Sequence, residues 1–138
     1  MIKTIFRFGY LIILFSVGIF GFFLSNGYPE DKKAYENISV DQFIKMMDQK
    51  DFILIDVHIP YQGEIPNTDI LIPFNSIDQH RSKLPRDKNA TIVVYCMTGP
   101  MGYIAAGKLV DIGYTTVIHF EGGMKAWVNS GRQLRFRR

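Results

Sequence analysis

The sequence of 138 residues contains a single cysteine, Cys96. One cysteine cannot form an intramolecular disulfide, and it also excludes the two-cysteine redox chemistry of C-x-x-C proteins. The three histidines, His58, His80 and His119, show no metal-ligand spacing, so neither a metal nor a cofactor is predicted. There is no internal repeat and no low-complexity segment. The length suits one ordinary domain, with one thiol as its candidate reactive group.

Basic residues are scarce in the middle of the chain. Residues 28–131 contain ten basic and thirteen acidic side chains, a formal net charge of −3. Because nucleic-acid binding needs a basic face on the domain itself, no nucleic-acid partner is predicted. Four arginines cluster in the last seven residues. Their clustering predicts that residues 135–138 form a solubilising, frayed basic tail. The alternative is a tail that touches anionic lipid.

Charge is absent from the seventeen residues between Phe8 and Leu24, which follow Lys3 and Arg7. As a helix with about 1.5 Å rise per residue, this run would be roughly 25 Å long, the short end of a membrane span. Residues 1–27 are therefore predicted to form a hydrophobic N-terminal helix that anchors the chain in the membrane. The contact with the membrane is expected through residues 5–24.

A cleaved signal peptide is the main alternative for the same segment. Such peptides combine a basic start, an apolar stretch of about 7–15 residues and small residues before the cleavage site. Here Ser25 and Gly27 are the small residues, and a buried helix of a soluble domain is the least favoured interpretation. Lys3 and Arg7 keep the N-terminal end cytoplasmic. The rest of the chain is therefore expected on the extracytoplasmic, periplasmic side, either membrane-anchored or, after cleavage, secreted.

Residues 28–36 are polar and are predicted to form a linker to one domain over residues 37–134. A helix is expected after Ser39, which can form a capping box with Gln42. Short apolar runs without alternation indicate strands that are buried on both faces of a sheet. Strands are expected within residues 51–57, 91–95 and 115–120, with a weaker one at 70–74, and further helices at 76–84, 102–113 and after residue 121. Strands that alternate with helices predict an α/β domain with a mainly parallel sheet.

Cys96 lies directly after the strand at 91–95 and before a helix. In open parallel sheets ligands bind beyond the carboxyl ends of the strands, so this thiol stands at the favoured edge. Backbone N–H groups of the following turn and the positive start of the helix can stabilise a thiolate or a persulfide. The predicted binding loop comprises Met97, Thr98, Gly99, Met101 and Gly102, whereas Pro100 supplies no N–H. The competing interpretation is a small, buried, unreactive cysteine.

Four motifs follow one another along the chain: LIDV at 54–57, GEIP at 63–66, C-x-x-G-x-x at 96–101, and EGG at 121–123 followed by Trp127. In this order and spacing, residues 36–134 resemble the rhodanese family of single-domain sulfurtransferases. The resemblance implies a parallel sheet of about five strands with helices on both faces. It also implies transfer of a sulfane sulfur from a small donor such as thiosulfate, through a persulfide on Cys96, to a thiol or other thiophilic acceptor.

The chain departs from the family pattern where the family carries positive charge. Met97 and Met101 occupy loop positions where the family has arginine, and His58 replaces the arginine that follows Asp-Val. Arginine suits anionic donors, so the substitutions favour a persulfide or another neutral polysulfur donor over thiosulfate. A cysteine-dependent phosphatase is disfavoured more strongly, because it needs an arginine to close on phosphate oxygens. The alternative function is a catalytically weak binding or sulfur-carrier module with the same fold.

Three further residues are predicted at the edge of the site. Asp56 ends its strand and is expected to fix the backbone there. His58 is expected either in the site or as a structural replacement that pairs with Glu64. Glu121 is expected to shape the turn beside the cysteine loop, and His119, which lies inside a strand, is interpreted as structural.

Overall fold

The computed structural model describes residues 35–137, which contain one parallel β-sheet. Its strands are β1 (Glu36–Ile38), β2 (Ile53–Asp56), β3 (Ile70–Leu71), β4 (Ile92–Tyr95) and β5 (Val117–Phe120). They lie in the order β1-β5-β4-β2-β3, and every neighbouring pair is parallel. The predicted α/β domain with a parallel sheet of five strands is confirmed.

Helices cover both faces of this sheet because its strands carry apolar side chains on both. The helices are α1 (Val40–Asp48), α2 (Pro100–Asp111) and α3 (Gly123–Asn129), and a short 3-10 helix spans Asp78–Lys83. On one face, Val94 of β4 shares a buried core with Leu109 of α2. On the other face, Val93 shares a core with Phe43 of α1 and Trp127 of α3. Two buried faces explain why the strand sequences show no alternation.

The predicted N-terminal anchor and most of the predicted linker lie outside the described residues. Within residues 35–137, no helix is long and apolar enough to cross a membrane. The described part begins just before β1, a three-residue strand that the sequence did not predict. This strand pairs with β5 along one edge of the sheet, from Glu36 opposite Ile118 to Ile38 opposite Phe120.

Local sequence signals account for most of the element boundaries. The capping box at the start of α1 is confirmed, because the N–H of Ser39 donates to Gln42 Oε1 at 2.8 Å and the N–H of Gln42 donates to Ser39 Oγ. Helix α2 starts two residues earlier than expected, at Pro100, since proline is favoured at the first helical position. The helix expected at 76–84 is instead a 3-10 helix with non-helical backbone at His80.

The register of the strands places the residues of the site at one edge of the sheet. Asp56, the last residue of β2, lies opposite Tyr95, the last residue of β4. The N–H of Val57 donates to the carbonyl of Tyr95 at 2.9 Å. Cys96, the first residue after β4, therefore lies beside Val57. The residues that follow β5 lie on the other side of β4.

The end of the chain differs from the expected frayed tail. Arg135 and Glu64 form a two-residue antiparallel bridge, with N···O distances of 2.8 Å in both directions. The guanidinium groups of Arg135 and Arg137 both bind the Glu64 carboxylate, which is fully buried. We call residues 135–137 the C-terminal strap, because they close over this carboxylate.

Candidate active site

The candidate active site is built around the thiol of Cys96. This residue is 2% exposed. The N–H of Gly99 donates to Cys96 Sγ at 3.0 Å. Gly99 has φ of +128°, a conformation that glycine adopts without steric cost. The carbonyl of Gly99 then accepts the N–H of Tyr103 at 2.9 Å, which joins the turn to α2. A backbone donor aimed at the sulfur favours a negative charge there.

The other members of the predicted loop add no charge beside the cysteine. Met97 is half-buried and packs against the core on the α1 and α3 face, whereas half-buried Met101 packs against the core on the α2 face. Thr98 and Pro100 are exposed. The loop thus carries no charged side chain, and its exposed side chains are those of Thr98 and Pro100.

Two backbone N–H groups of helix α3 bind the first two residues of the cysteine loop. The N–H of Met124 donates to the carbonyl of Cys96, and the N–H of Lys125 donates to that of Met97, both at 2.9 Å. A Cβ on Gly123 would lie 2.0 Å from the carbonyl oxygen of Cys96. Only glycine permits this approach of two backbones, which explains the EGG motif in physical terms. Glu121 starts the turn: its side chain is exposed and its N–H donates to the carbonyl of Ile38 at 3.0 Å.

His119 is not part of the cysteine loop but packs against Gly102, near the start of α2. A Cβ on Gly102 would lie 2.7 Å from His119 Nε2, so the imidazole packs directly against the start of α2. His119 is 3% exposed, and its Nδ1 lies 3.0 Å from Asn37 Oδ1. The contact with Asn37 was not predicted, because it joins β5 to the short strand β1 and leaves no local pattern.

Asp56 fixes the backbone at the end of β2. Its Oδ1 accepts the N–H of His58 at 2.9 Å, and the residue is 3% exposed. Burial raises the pKa of Asp56 to about 7; the N–H of His58 and the Arg137 guanidinium lower it, and the Glu64 carboxylate raises it further. The carboxyl group therefore changes its charge near neutral pH.

The expected pairing of His58 with Glu64 does not occur. Glu64 binds the two arginines of the C-terminal strap, with Oε1 2.6 Å from Arg135 and Oε2 2.7 Å from Arg137. Neither ring nitrogen of His58 has a hydrogen-bond partner among residues 35–137, although both are shielded from solvent. The sequence offered no local signal for the pairing of Glu64, because its partners lie 71 and 73 residues further along the chain.

Tyr95 links the GEIP segment to the strand that carries the cysteine. Its hydroxyl accepts the N–H of Ile65 at 2.9 Å and lies 2.7 Å from Thr68 Oγ1. Burial and the nearby Asp56 carboxylate raise the pKa of Tyr95, so the hydroxyl stays neutral and can bridge the two groups. The segment at 63–66 is thus held beside the end of β4.

A parallel α/β domain that holds a thiol between a strand and a helix, at the carboxyl edge of its sheet, defines a class of small proteins built for cysteine chemistry. Residues 39–130 match the rhodanese-like domain family, and the chain belongs to this family. A sulfurtransferase of Allochromatium vinosum is 32% identical over 90 residues, which are 63% of this chain and 81% of that protein.

Two further comparisons agree with this family. A thiosulfate sulfurtransferase of Pseudoalteromonas translucida is 29% identical over 97 residues, 68% of this chain and 90% of that one. The crystal structure of a rhodanese-related protein from Thermoplasma volcanium has a TM-score of 0.63 and 24% identity, and the match covers 75% of this chain and all of that one. The last comparison shows the fold, and the family with its sulfurtransferase relatives supports an enzyme of the sulfurtransferase class.

Proposed function

We propose that the chain transfers a sulfane sulfur through a persulfide on Cys96. The observation that carries the proposal is the sulfur of Cys96 at the carboxyl edge of the sheet, with the N–H of Gly99 3.0 Å away. In the first step the Cys96 thiolate attacks the sulfane sulfur of the donor, and the rest of the donor leaves with the electron pair of the broken bond. In the second step an acceptor attacks the outer sulfur of the persulfide, the S–S bond breaks, and the Cys96 thiolate is restored.

Intact mass measurement of the purified chain tests the proposal. Incubation with a sulfane donor should add one sulfur, about 32 Da, and a thiol reductant should remove it. The variant Cys96→Ser should show no gain, because serine has no sulfur to form the persulfide. A native chain that gains no mass with any donor would refute sulfur transfer by this site.

We propose that the donor is a persulfide or a neutral polysulfur compound rather than thiosulfate. Residues 97–102 carry no charged side chain, and the two methionines that flank the thiol are apolar and polarisable. Thiosulfate carries two negative charges and would gain most from an arginine in this loop.

The substitution Met101→Arg tests this donor preference. We expect glutathione persulfide to load native Cys96 faster than thiosulfate, and Met101→Arg to shift the ratio of the two rates towards thiosulfate. The matched control is Met46→Arg, which adds the same charge to a half-buried methionine of α1. Equal loading of the native chain by both donors would contradict the preference.

We propose further that residues 1–27 hold the domain at the extracytoplasmic face of a membrane. The uncharged run from Phe8 to Leu24, preceded by Lys3 and Arg7, supports this location. Secretion into the periplasm after cleavage is the alternative.

A binding or sulfur-carrier module is the second candidate function. It is favoured by the burial of Cys96 and by the absence of arginine from residues 97–102. A persulfide that forms on Cys96 but does not pass to any thiol would identify a carrier. Catalytic turnover with a soluble thiol acceptor would identify the enzyme.

A further inference from the structure

His119 is a buried polar side chain that has no step in the proposed sulfur transfer. It lies in β5, and the residue is 3% exposed. A Cβ on Gly102 would lie 2.7 Å from His119 Nε2 and 3.5 Å from the backbone nitrogen of Cys96. The imidazole and the backbone of Cys96 therefore both adjoin Gly102.

The same ring also adjoins the turn that binds the sulfur. A Cβ on Gly99 would lie 4.0 Å from His119 Cε1, an ordinary van der Waals distance. The N–H of Gly99 donates to Cys96 Sγ at 3.0 Å, and its carbonyl accepts the N–H of Tyr103. The ring of Tyr103 meets the imidazole edge-on, with centroids 6.5 Å apart. Because glycine has no side chain, the imidazole takes up space beside both ends of the turn.

Asn37 fixes the orientation of the imidazole from the neighbouring strand. It lies opposite His119 in the register of β1 and β5, and its Oδ1 is 3.0 Å from His119 Nδ1. An amide oxygen can only accept, so Nδ1 carries the hydrogen of this bond. Asn37 is exposed, whereas the imidazole is buried. An exposed side chain thus holds the ring with its Nε2 edge towards Gly102.

Loss of the imidazole would leave a space beside the cysteine loop. Protein interiors contain few voids of this size, so the surroundings relax towards them. The turn at Gly99 is more easily displaced than the strands of the sheet. Its N–H would then move away from Cys96 Sγ, and the sulfur would lose a hydrogen bond that is strong when the acceptor is charged.

We propose that His119 is a positioning residue, whose imidazole keeps the N–H of Gly99 within hydrogen-bond distance of the Cys96 sulfur. The inference rests on the proposed sulfur transfer, in which the Cys96 thiolate is the nucleophile of the first step and is restored in the second. The N–H of Gly99 stabilises this thiolate in both steps. In this role His119 exchanges no proton with the sulfur and acts through Gly99.

Alkylation of the full chain by iodoacetamide at neutral pH tests the inference. Cys96 is the only thiol of the sequence, and the thiolate is the form that reacts. For His119→Ala we expect the rate to fall about three- to tenfold. Loss of the donor lowers the thiolate fraction, and the higher nucleophilicity of the remaining thiolate offsets only part of this loss.

The matched control for this variant is Val117→Ala. Val117 is buried two residues earlier in β5, on the same face of the strand, and packs in the core that contains α2. Its truncation also leaves a space against α2 but not beside the cysteine loop. The alkylation rate should therefore remain that of the native chain.

Asn37→Ala tests the orientation of the ring from an exposed position, where the substitution leaves the core intact. We expect alkylation to slow by about twofold, because the imidazole loses the bond that holds it. Glu36→Ala, at the neighbouring exposed position of β1, should have no effect. Loading of Cys96 by glutathione persulfide, followed by intact mass, should slow in the same order in all four variants.

Three results would overturn the inference. Faster or unchanged alkylation in His119→Ala would show that the imidazole only supports the fold, since a loosened loop exposes the thiol. Equal slowing in His119→Ala and Val117→Ala would show a general effect of truncation, and native alkylation in Asn37→Ala would exclude Asn37 as the orienting residue. Failure of the native chain to load sulfur would instead refute the proposed function, and the alkylation rates would still decide the role of His119.

Discussion

At the scale of single residues, the reactive sulfur depends on backbone contacts that leave no room for side chains. Cys96 Sγ accepts the N–H of Gly99, and the carbonyl of Cys96 accepts the N–H of Met124. Gly123 lies between these contacts with φ of +49°. The position of the thiol therefore depends on the glycine of α3 as much as on the loop itself.

Replacing Gly123 by alanine should destabilise the fold and disturb the site. The new Cβ would lie 2.0 Å from the carbonyl oxygen of Cys96, so we expect a loss of more than about 2 kcal/mol in the free energy of unfolding. Sulfur loading of Cys96 should slow as well. Gly107→Ala is the control: nothing lies within 4 Å of its new Cβ, and alanine in a helix interior should stabilise by up to about 1 kcal/mol. Urea denaturation measures the free energy of unfolding of both variants. Equal changes in the two variants would contradict the packing argument.

Asp56 should make the stability of the protein depend on pH in a specific direction. Its pKa is about 7 in the folded chain against 3.8 for an unperturbed aspartate. Between these values the folded state binds more protons than the unfolded state, so this group lowers stability as pH rises from about 4 to about 7. Asp56→Asn keeps an oxygen to accept the N–H of His58 and removes the titration. The variant should therefore be more stable than the native chain by about 2–4 kcal/mol above pH 7, and equal to it below pH 4.

Denaturant midpoints of native and Asp56→Asn protein across this pH range measure the effect. Asp51→Asn, at an exposed position before β2, is the control and should show no such pH-dependent difference. A stability difference for Asp56→Asn that is constant with pH would show that the carboxyl group does not titrate in the folded state at these values.

At the scale of elements, the C-terminal strap supplies the positive charge that pairs with the Glu64 carboxylate. Glu64 is fully buried, whereas the side chains of Arg135 and Arg137 are 56% and 47% exposed. Removing the strap would take both cations away from this carboxylate. Breaking such a pair from one side costs far more than the pair contributes as a whole.

Deletion of residues 135–138 should therefore destabilise the domain through Glu64. We expect a loss of up to about 3–5 kcal/mol, because the Glu64 carboxylate loses both of its cations. Glu64→Gln in the shortened chain should recover part of this loss, whereas Glu64→Gln in the full chain should cost less than the deletion, since the arginines can turn to solvent. Urea denaturation of the four proteins forms a complete cycle, and a deletion without effect would contradict the role of the strap.

Local sequence patterns predicted the elements that carry the thiol. The continuous apolar runs before Asp56 and Cys96 are strands buried on both faces, and the capping box of Ser39 and Gln42 starts α1. Because these signals depend on neighbours within a few residues, the sequence sufficed to place Cys96 between a strand and a helix. The glycines after Glu121 were also informative, since their spacing reflects a backbone contact with the loop.

The sequence did not predict the features that depend on distant partners. β1 has three residues with two exposed side chains, so it lacks the apolar run of a strand and exists only through pairing with β5. The strap was expected to be frayed because nothing near Arg135 reveals that Glu64, 71 residues earlier, needs its charge. The same reason explains the wrong partner assigned to His58: Glu64 is bound by Arg135 and Arg137, which lie 71 and 73 residues further along the chain.

At the scale of the whole molecule, charge is distributed so that both ends of the chain are basic and the middle is acidic. Residues 28–131 carry a formal net charge of −3, and the arginines beyond them offset it. Two of these arginines are bound to Glu64 in the fold, which reduces the positive charge that the tail can offer to a partner. The proposed contact with the membrane therefore depends on the N-terminal segment rather than on the tail.

The proposed anchor predicts how the full chain fractionates in the cell. Expressed from Met1, residues 1–138 should remain in the membrane pellet after washing with alkaline carbonate, at their uncleaved mass of 15.9 kDa. A chain that starts at residue 28 should appear in the soluble fraction, because the uncharged run from Phe8 to Leu24 supplies the hydrophobic contact. Arginines placed at Ile13 and Val17 should release the full-length chain in the same way, since charges at the centre of a span oppose insertion, and serines at Asn26 and Tyr28 are the control that should not. A soluble product smaller by about 3 kDa would identify a cleaved signal peptide instead, and a soluble product of full mass would contradict both interpretations.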